Sequence, residues 1–309
     1  MGSRTREVVA RGLALPEGPR WHDGWLWFSD IHGAKVHRLD ESGTVETVAD
    51  VRRPEGLGFL PDGSLLVADE FVFRRIWPSG SESEDTIDLR SVVVDHAADM
   101  VIDGQGRAYV GDPALTFDQI FERGGTDPAG RVVLVPPDGP PRVVAGGLMV
   151  PNGICIMPDG VTLVVAECFG PMYLTAFTIA ADGSLGERRT LAQIGTGAPD
   201  GICCDAEGGV WVAVHPRRGA FPHPSPPAVS SSGSEFIRIL DGNIVDRIEV
   251  PDRWPLACAL GGGDRRTLYM CTVEPPQPGD ARSVKESHLE ERSGQIDAVR
   301  VDVPGAGWP

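Results

Sequence analysis

The stretch Pro199-Asp-Gly-Ile-Cys-Cys-Asp-Ala-Glu-Gly-Gly-Val-Trp-Val-Ala-Val214 decides the fold of this chain. Its first apolar run, Ile202–Cys204, ends at the turn sequence Asp205-Ala-Glu-Gly208, and a second apolar run begins at Val210. Turn residues between two short apolar runs predict an antiparallel β-hairpin.

The same hairpin pattern recurs along the whole chain. Its turns are His22-Asp-Gly24, Pro61-Asp-Gly63, Asp103-Gly-Gln-Gly106, Pro158-Asp-Gly160, Asp205-Ala-Glu-Gly208 and Gly263-Asp-Arg-Arg266. One or two further β-like runs follow each hairpin, and no segment shows a long 3.6-residue apolar period. Four strands repeated every ~40–50 residues are the signature of a β-propeller.

The sequence therefore predicts an all-β fold, a six-bladed β-propeller with four-stranded blades, in which residues 1–309 form a single domain. The run Glu7-Val-Val-Ala10 precedes the first inner strand. We expect it to close the ring as the outer strand of the last blade, beside Ile296–Val301, because such closure removes an exposed sheet edge.

Composition limits the possible partners. The 309 residues include 28 basic and 44 acidic side chains, for a net charge of −16, which argues against nucleic acid and anionic membranes. No apolar run reaches the ~18 residues of a membrane span, and Met1–Ala10 lacks the apolar core of a signal peptide. The six cysteines form no C-x-x-C pair, so we expect free thiols and a cytoplasmic location. The oligomeric state stays open.

Oxygen-bearing side chains occupy one repeated position, the start of each inner strand. Because inner strands surround the channel of a propeller, these side chains should converge near its axis. Carboxylates packed together repel one another unless a cation or protons intervene, so the column predicts a divalent-cation site. The alternative is that these residues only cap turns between blades. The column is Glu17, Glu55, Asp99, Asn152 and Asp200, with Ala257 in the sixth repeat.

Three motifs resemble those of the senescence-marker-protein (regucalcin) and gluconolactonase family of six-bladed propellers. They are Glu17-Gly-Pro-Arg-Trp21, Pro151-Asn-Gly153 with Pro158-Asp-Gly160, and Pro199-Asp-Gly201 with Asp205–Trp211. The resemblance implies one divalent metal held by Glu17, Asn152 and Asp200. It also implies hydrolysis of sugar-type lactones by metal-activated water, with Asp200 as general base. Oxygen ligands favour calcium, with magnesium, manganese and zinc as alternatives.

The third repeat departs from the family pattern. The family usually has Asn-Asp there, preceded by an Arg that contacts substrate, whereas this chain reads Asp95-His-Ala-Ala-Asp99. Ala98 therefore occupies the Asn position and His96 the Arg position. The departure weakens the expectation of an ordinary sugar lactone as substrate but leaves the three predicted ligands intact.

Long connections should overhang the same rim, since a second strand ends where its inner strand begins. They are Gly111–Gly130, His215–Glu235 and Glu274–Ser293, and the second is predicted to be a mobile lid. The predicted substrate-binding residues are His96, Asp99, Phe117 and Phe221.

Two further classes of function remain open at this point. The same propeller could hydrolyse organophosphates or aryl esters, or catalyse a non-hydrolytic step on a natural product. It could also be a calcium-binding or scaffold protein, although a scaffold has no need of carboxylates at its axis.

Overall fold

The computed structural model describes residues 4–77, 82–116, 128–216, 233–275 and 282–307. It confirms the predicted propeller, which has six four-stranded antiparallel sheets. Blade 1 contains β2 (Pro16–His22), β3 (Trp25–Asp30), β4 (Lys35–Leu39) and β5 (Val45–Asp50). Blade 2 contains β6 (Pro54–Phe59), β7 (Leu65–Asp69), β8 (Val72–Ile76) and β9 (Glu82–Asp88). Blade 3 contains β10 (Met100–Ile102), β11 (Ala108–Asp112), β12 (Gly130–Val135) and β13 (Arg142–Leu148).

The second half of the ring repeats this arrangement. Blade 4 contains β14 (Pro151–Ile156), β15 (Thr162–Glu167), β16 (Tyr173–Ile179) and β17 (Leu185–Gln193). Blade 5 contains β18 (Ala198–Cys204), β19 (Val210–His215), β20 (Glu235–Leu240) and β21 (Asn243–Glu249). Blade 6 contains β22 (Trp254–Gly261), β23 (Thr267–Val273), β24 (Gly294–Arg300) and, as its outer strand, β1 (Glu7–Leu13). The predicted ring closure is confirmed, because β1 pairs with β24.

Within the described ranges, one helix interrupts the β structure: α1 (Val284–Glu291), in the connection between β23 and β24. Ser283 caps it, and the Glu286 side chain bonds back to the Ser283 backbone, which completes a capping box. No helix in this part of the chain is long and apolar enough to cross a membrane.

Glycines allow the inner strands to approach one another closely around the channel. A Cβ on Gly153 would lie 2.4 Å from the Asp200 carbonyl oxygen, and one on Gly18, whose φ is +53°, would lie 2.7 Å from that of Glu55. The column residues that precede these glycines therefore lie in inner strands packed against the next blade. The alternative that they merely cap turns between blades is wrong for these two positions.

Buried carboxylates at the ends of second strands fix the segment that leads into each inner strand. Asp30 is 1% exposed, and it accepts hydrogen bonds from the backbone N–H groups of Ala14 and Leu15, at 3.1 and 2.7 Å. Asp69, Asp112 and Glu167 bond in the same way to the backbone of Arg53, Val94 and Met149.

We expect Asp30→Ala to lower the free energy of unfolding by about 2 kcal/mol, because it leaves buried N–H groups without an acceptor. Asp50→Ala is the matched control: Asp50 pairs with Lys35 but is 81% exposed, so its loss should change stability by less than ~1 kcal/mol. Urea unfolding of both variants measures the difference. Equal stability of the two variants would contradict the tethering role.

The cysteines are free, as predicted, and all but the partly exposed Cys203 are buried. Three of them, with two arginines, line a cavity at the far end of the inner strands. No carboxylate of the column lines this cavity, so it is not the predicted site. The three cysteines are Cys155, Cys203 and Cys204, and the two arginines are Arg20 and Arg265.

Candidate active site at the channel rim

The carboxylates predicted to converge are close enough for their charges to interact. Burial, followed by the negative charges of Asp200 and Asp99, raises the pKa of Glu17 well above its usual range. Burial, followed by the charges of Asp99 and Glu55, does the same to the pKa of Asp200. These groups lie at or directly before the starts of inner strands in four different blades, and their negative charges act on one another.

In this cluster, Asp200 has a carboxylate oxygen that receives no hydrogen bond from the protein. Asp200 is only 7% exposed, and its Oδ1 atom is buried without a hydrogen-bond partner in the protein. A buried, unpartnered carboxylate oxygen is costly unless a cation, a proton or a ligand satisfies it. The structure therefore leaves Asp200 Oδ1 available for a bound group.

Asn152 is oriented by a cysteine that the sequence analysis did not assign to the site. The Cys168 thiol donates to the Pro199 carbonyl oxygen at 2.7 Å, and the Asn152 side chain hydrogen-bonds the same sulfur. Since the thiol proton is already used, the Asn152 amide N–H must donate to sulfur. With this orientation, the amide oxygen is the Asn152 atom that would face a cation.

Cys168 could have been recognised from its position in the repeat. It directly follows Glu167, the last residue of β15, which pairs with Pro151 at the start of β14. The residue after a second strand therefore lies at the same rim as Asn152. Burial, followed by the negative charge of Asp200, raises the pKa of the Cys168 thiol, so the thiol is held in its neutral form.

Asp99 already has partners for both carboxylate oxygens. Oδ1 accepts from Arg20 Nη2 at 2.7 Å and from the Met100 backbone at 2.9 Å, while Oδ2 accepts from the Ile154 backbone at 3.3 Å. Burial raises the pKa of Asp99, and the Arg20 charge acts in the opposite direction. These bonds link blades 1, 3 and 4. The contact between Asp99 and substrate stays a prediction.

His96 lies beside the same rim with acidic groups on both sides. Its Nδ1 atom is 2.7 Å from Asp95 Oδ2, and its Nε2 atom is 3.7 Å from Glu55 Oε2. Glu55 in turn accepts from Arg53 Nε at 3.0 Å. The residue is 4% exposed, so its contact with substrate, which the sequence predicts, requires a ligand that reaches the inner wall of the channel.

Ala98 is 5% exposed, and its backbone N–H donates to the Gly111 carbonyl oxygen at 2.9 Å. The short side chain leaves this part of the wall without a polar group. Phe117 and Phe221 lie outside the described residues, as does most of the predicted lid. Where the strands are described, the predicted direction is confirmed: Ala198 pairs with His215, so this connection starts at the rim that holds Asp200.

The residues present could hold a divalent cation only if carboxylate oxygens and an amide oxygen act together. In the part of the chain that the structure describes, no three His, Cys, Asp or Glu side chains are grouped so as to hold a metal by themselves. A cation here would depend on Glu17 and Asp200 together with the Asn152 amide oxygen. The orphaned Asp200 oxygen and the mutual repulsion of the two carboxylates both fit such an occupant.

The fold and this rim define a six-bladed propeller with a buried acidic cluster at one end of its channel. The chain matches the family model for the SMP-30/gluconolactonase/LRE-like region over residues 15–274, and it belongs to that family.

Two curated relatives cover nearly the whole chain. One is the 6-deoxy-6-sulfogluconolactonase of Pseudomonas putida, 28% identical over 100% of this chain and 99% of the relative. The other is pentonolactonase XacC of Haloferax volcanii, 26% identical over 98% of this chain and 95% of the relative. Among solved structures, a luciferin-regenerating enzyme has a TM-score of 0.76 at 17% identity, with 98% and 97% coverage. That likeness supports the fold.

Proposed function

We propose that this protein is a divalent-metal-dependent lactonase that opens a sugar-type lactone or a related cyclic ester. Two relatives that cover almost the whole chain are named as lactonases, and a small-molecule substrate follows from that activity. The observation that carries the proposal for this chain is the buried, unpartnered Oδ1 atom of Asp200 beside the carboxyl of Glu17.

In this proposal, Glu17, Asn152 and Asp200 hold one cation. The cation, when bound, supplies Lewis-acid polarisation of the lactone carbonyl and makes a water more acidic. Two carboxylates would neutralise its charge, and the oxygen ligands favour calcium, with magnesium, manganese and zinc as alternatives. One alternative is a calcium-binding role without catalysis.

The protein's own groups have separate tasks. Asp200 accepts the proton of the attacking water through the carboxylate oxygen that does not hold the cation. Asn152 directs its amide oxygen to the same point because Cys168 holds its N–H group. Arg20 pairs with Asp99, and its positive charge offsets part of the negative charge that acts on Glu17 and Asp200.

A panel of aliphatic and aryl lactones, assayed before and after dialysis against a chelator, tests this function. We expect turnover of at least one aliphatic lactone, loss of that turnover after chelation and its return on addition of calcium or another divalent cation. Unchanged turnover after chelation would contradict the metal dependence. Cation binding without turnover of any lactone would favour the calcium-binding alternative.

Ala98 motivates a second candidate, hydrolysis of aryl esters or organophosphates by the same residues. The family's usual Asn would offer a donor and an acceptor at this wall, and Ala offers neither. The same panel, extended with an aryl ester and an organophosphate, decides between the candidates by their relative kcat/KM.

Cys168 gives a prediction that does not depend on the substrate. We expect Cys168→Ala to weaken cation affinity by about 10–100-fold, the range typical of groups that orient a ligand. Cys168→Ser should retain most of the affinity, because a hydroxyl can both donate to Pro199 and accept from Asn152. Calorimetric titration with the cation measures both.

Cys155→Ala is the control for this comparison, since Cys155 is also buried and free. It should leave cation affinity unchanged even if it lowers stability. Equal affinity of the Cys168→Ala and wild-type proteins would show that Asn152 is oriented by something else.

A further inference from the structure

The imidazole of His96 is fixed in a manner suited to proton transfer. Nδ1 is bonded to Asp95 Oδ2 at 2.7 Å, which leaves Nε2 as the free end of the ring. Glu55 Oε2 is 3.7 Å from Nε2, longer than a direct hydrogen bond. A carboxylate on Nδ1 sets the ring orientation and stabilises the protonated imidazole, as it does in hydrolytic dyads and triads.

The backbone that follows His96 is held by neighbouring segments of blades 2 and 3. The Ala97 N–H donates to the Glu70 carbonyl oxygen at 2.7 Å, and the Ala98 N–H donates to that of Gly111 at 2.9 Å. The Gly56 N–H donates to the Ala98 carbonyl oxygen at 3.2 Å. The dyad thus belongs to a rigid wall between blades 2 and 3, which is the kind of support that a proton-transfer group requires.

This wall faces the acidic cluster. The negative charge of Glu55 acts on both Glu17 and Asp200, so the side chain that neighbours Nε2 is part of the same rim. Through Glu55, His96 is next to the acidic cluster, on the side of blades 2 and 3.

The charged groups that face His96 form a closed set of alternating sign. Asp95 lies on its own segment, and Glu55 lies on β6. Arg53, which precedes β6, is 3.0 Å from Glu55 Oε1 and 3.9 Å from Asp95 Oδ2. With His96 protonated, the four groups carry two positive and two negative charges. The charge on the imidazole of a protonated His96 would therefore be balanced within this set.

We propose that His96 is the general acid of the lactonase reaction, which protonates the ring oxygen as the carbon–oxygen bond breaks. The inference rests on the proposed lactone hydrolysis. It assigns a donor for the leaving group, a task that the proposed base cannot perform in the same step.

Water adds to the carbonyl carbon while its proton passes to Asp200. The bond from that carbon to the ring oxygen then breaks, its electron pair goes to the ring oxygen, and the proton on His96 Nε2 joins it to give the alcohol. His96 regains a proton from solvent, and Asp200 releases one, so that the sum is lactone plus water to hydroxy acid.

The leaving group provides the test. An aliphatic lactone such as δ-valerolactone expels an alkoxide, a strongly basic leaving group whose conjugate acid is about as weak an acid as water. Dihydrocoumarin expels a phenolate, whose conjugate acid has a pKa of about 10 and which leaves without protonation. We expect His96→Gln to lower kcat on the aliphatic lactone by about 100-fold or more, and kcat on dihydrocoumarin by less than about threefold.

A second readout is the pH profile of kcat on the aliphatic lactone. Only protonated His96 can donate, so wild-type kcat should fall on the alkaline side, and His96→Gln should lack that fall. His37→Gln is the control: His37 is also buried and bonds Thr47, and this variant should match the wild type on both substrates and in its pH profile.

The assignment is overturned if His96→Gln lowers kcat equally on the two lactones, or on neither, and keeps the alkaline fall. That result would leave the proposed function intact. If the wild-type protein hydrolyses neither lactone, the proposed function fails, and the assignment fails with it.

Discussion

Replacement of Asp200 by Asn is expected to lower lactonase kcat by about 10²–10⁴-fold, the range that a general base contributes. The change is nearly isosteric and keeps an oxygen that can face a cation, but an amide cannot accept the proton of the attacking water. Steady-state kinetics on the best lactone of the panel, at saturating cation, measures this loss.

The same substitution should stabilise the metal-free protein. The raised pKa values of Glu17 and Asp200 show that the folded chain binds protons at these groups more tightly than the unfolded chain does. Their contribution to stability is therefore present at low pH and is lost as pH rises from the ordinary carboxyl range, about 4, through the raised values. In chelator at neutral pH, Asp200→Asn should raise the thermal midpoint and reduce this loss.

Asp103→Asn is the matched control, because Asp103 has the same 7% exposure as Asp200. Its carboxylate is satisfied by Arg107 Nε at 2.6 Å and by the Gln105 backbone at 2.9 Å. This variant should lose stability and keep kcat, the reverse of Asp200→Asn. Wild-type kcat in Asp200→Asn would exclude Asp200 as the base.

The fold could be predicted from the sequence because each hairpin carries its own local signal. A turn such as Pro158-Asp-Gly160 between apolar runs defines two strands, and six copies define the ring. Strand direction then places every inner-strand start at one rim, which is why the repeat pattern alone predicts that Glu17 and Asp200 lie together. The helix α1 was not predicted, although Ser283 and Glu286 form a capping box that the sequence displays.

The details of the site depend on contacts between blades, which a repeat pattern does not encode. Membership of the column made Asp99 and Asp200 look equivalent. In the structure, Asp99 is bonded through both oxygens, whereas Asp200 retains an unpartnered one. The difference arises from Arg20 in blade 1 and from the Ile154 backbone in blade 4, which bond the two oxygens of Asp99. The approach of Glu55 Oε2 to within 3.7 Å of His96 Nε2 likewise joins two blades.

Arg20 is the link on which the arrangement of the cluster depends. It is 7% exposed, and its guanidinium donates to Asp99 Oδ1 at 2.7 Å, to the Pro19 carbonyl oxygen at 2.8 Å and to the Met100 carbonyl oxygen. Without Arg20, the Asp99 carboxylate would remain buried and charged, near Glu17 and Asp200.

We expect Arg20→Met to lower the free energy of unfolding by about 3–5 kcal/mol, the cost of leaving one partner of a buried ion pair unpaired. Arg38→Met is the comparison: Arg38 pairs with Glu46 at the surface, with 28% and 44% of the two side chains exposed. That change should cost less than about 1 kcal/mol. Urea unfolding in chelator measures both variants without a contribution from a bound cation.

A double-mutant cycle separates the lost pair from a general loss of packing. Asp99→Asn alone leaves Arg20 unpaired, but in the Arg20→Met background it removes the uncompensated charge and relieves the repulsion on Glu17 and Asp200. The double variant should therefore be more stable than Arg20→Met alone, with an interaction energy of about 1–3 kcal/mol. Additive losses would mean that Arg20 acts only through packing. In that case its charge would have no part in offsetting the negative charge that Asp99 exerts on Glu17 and Asp200.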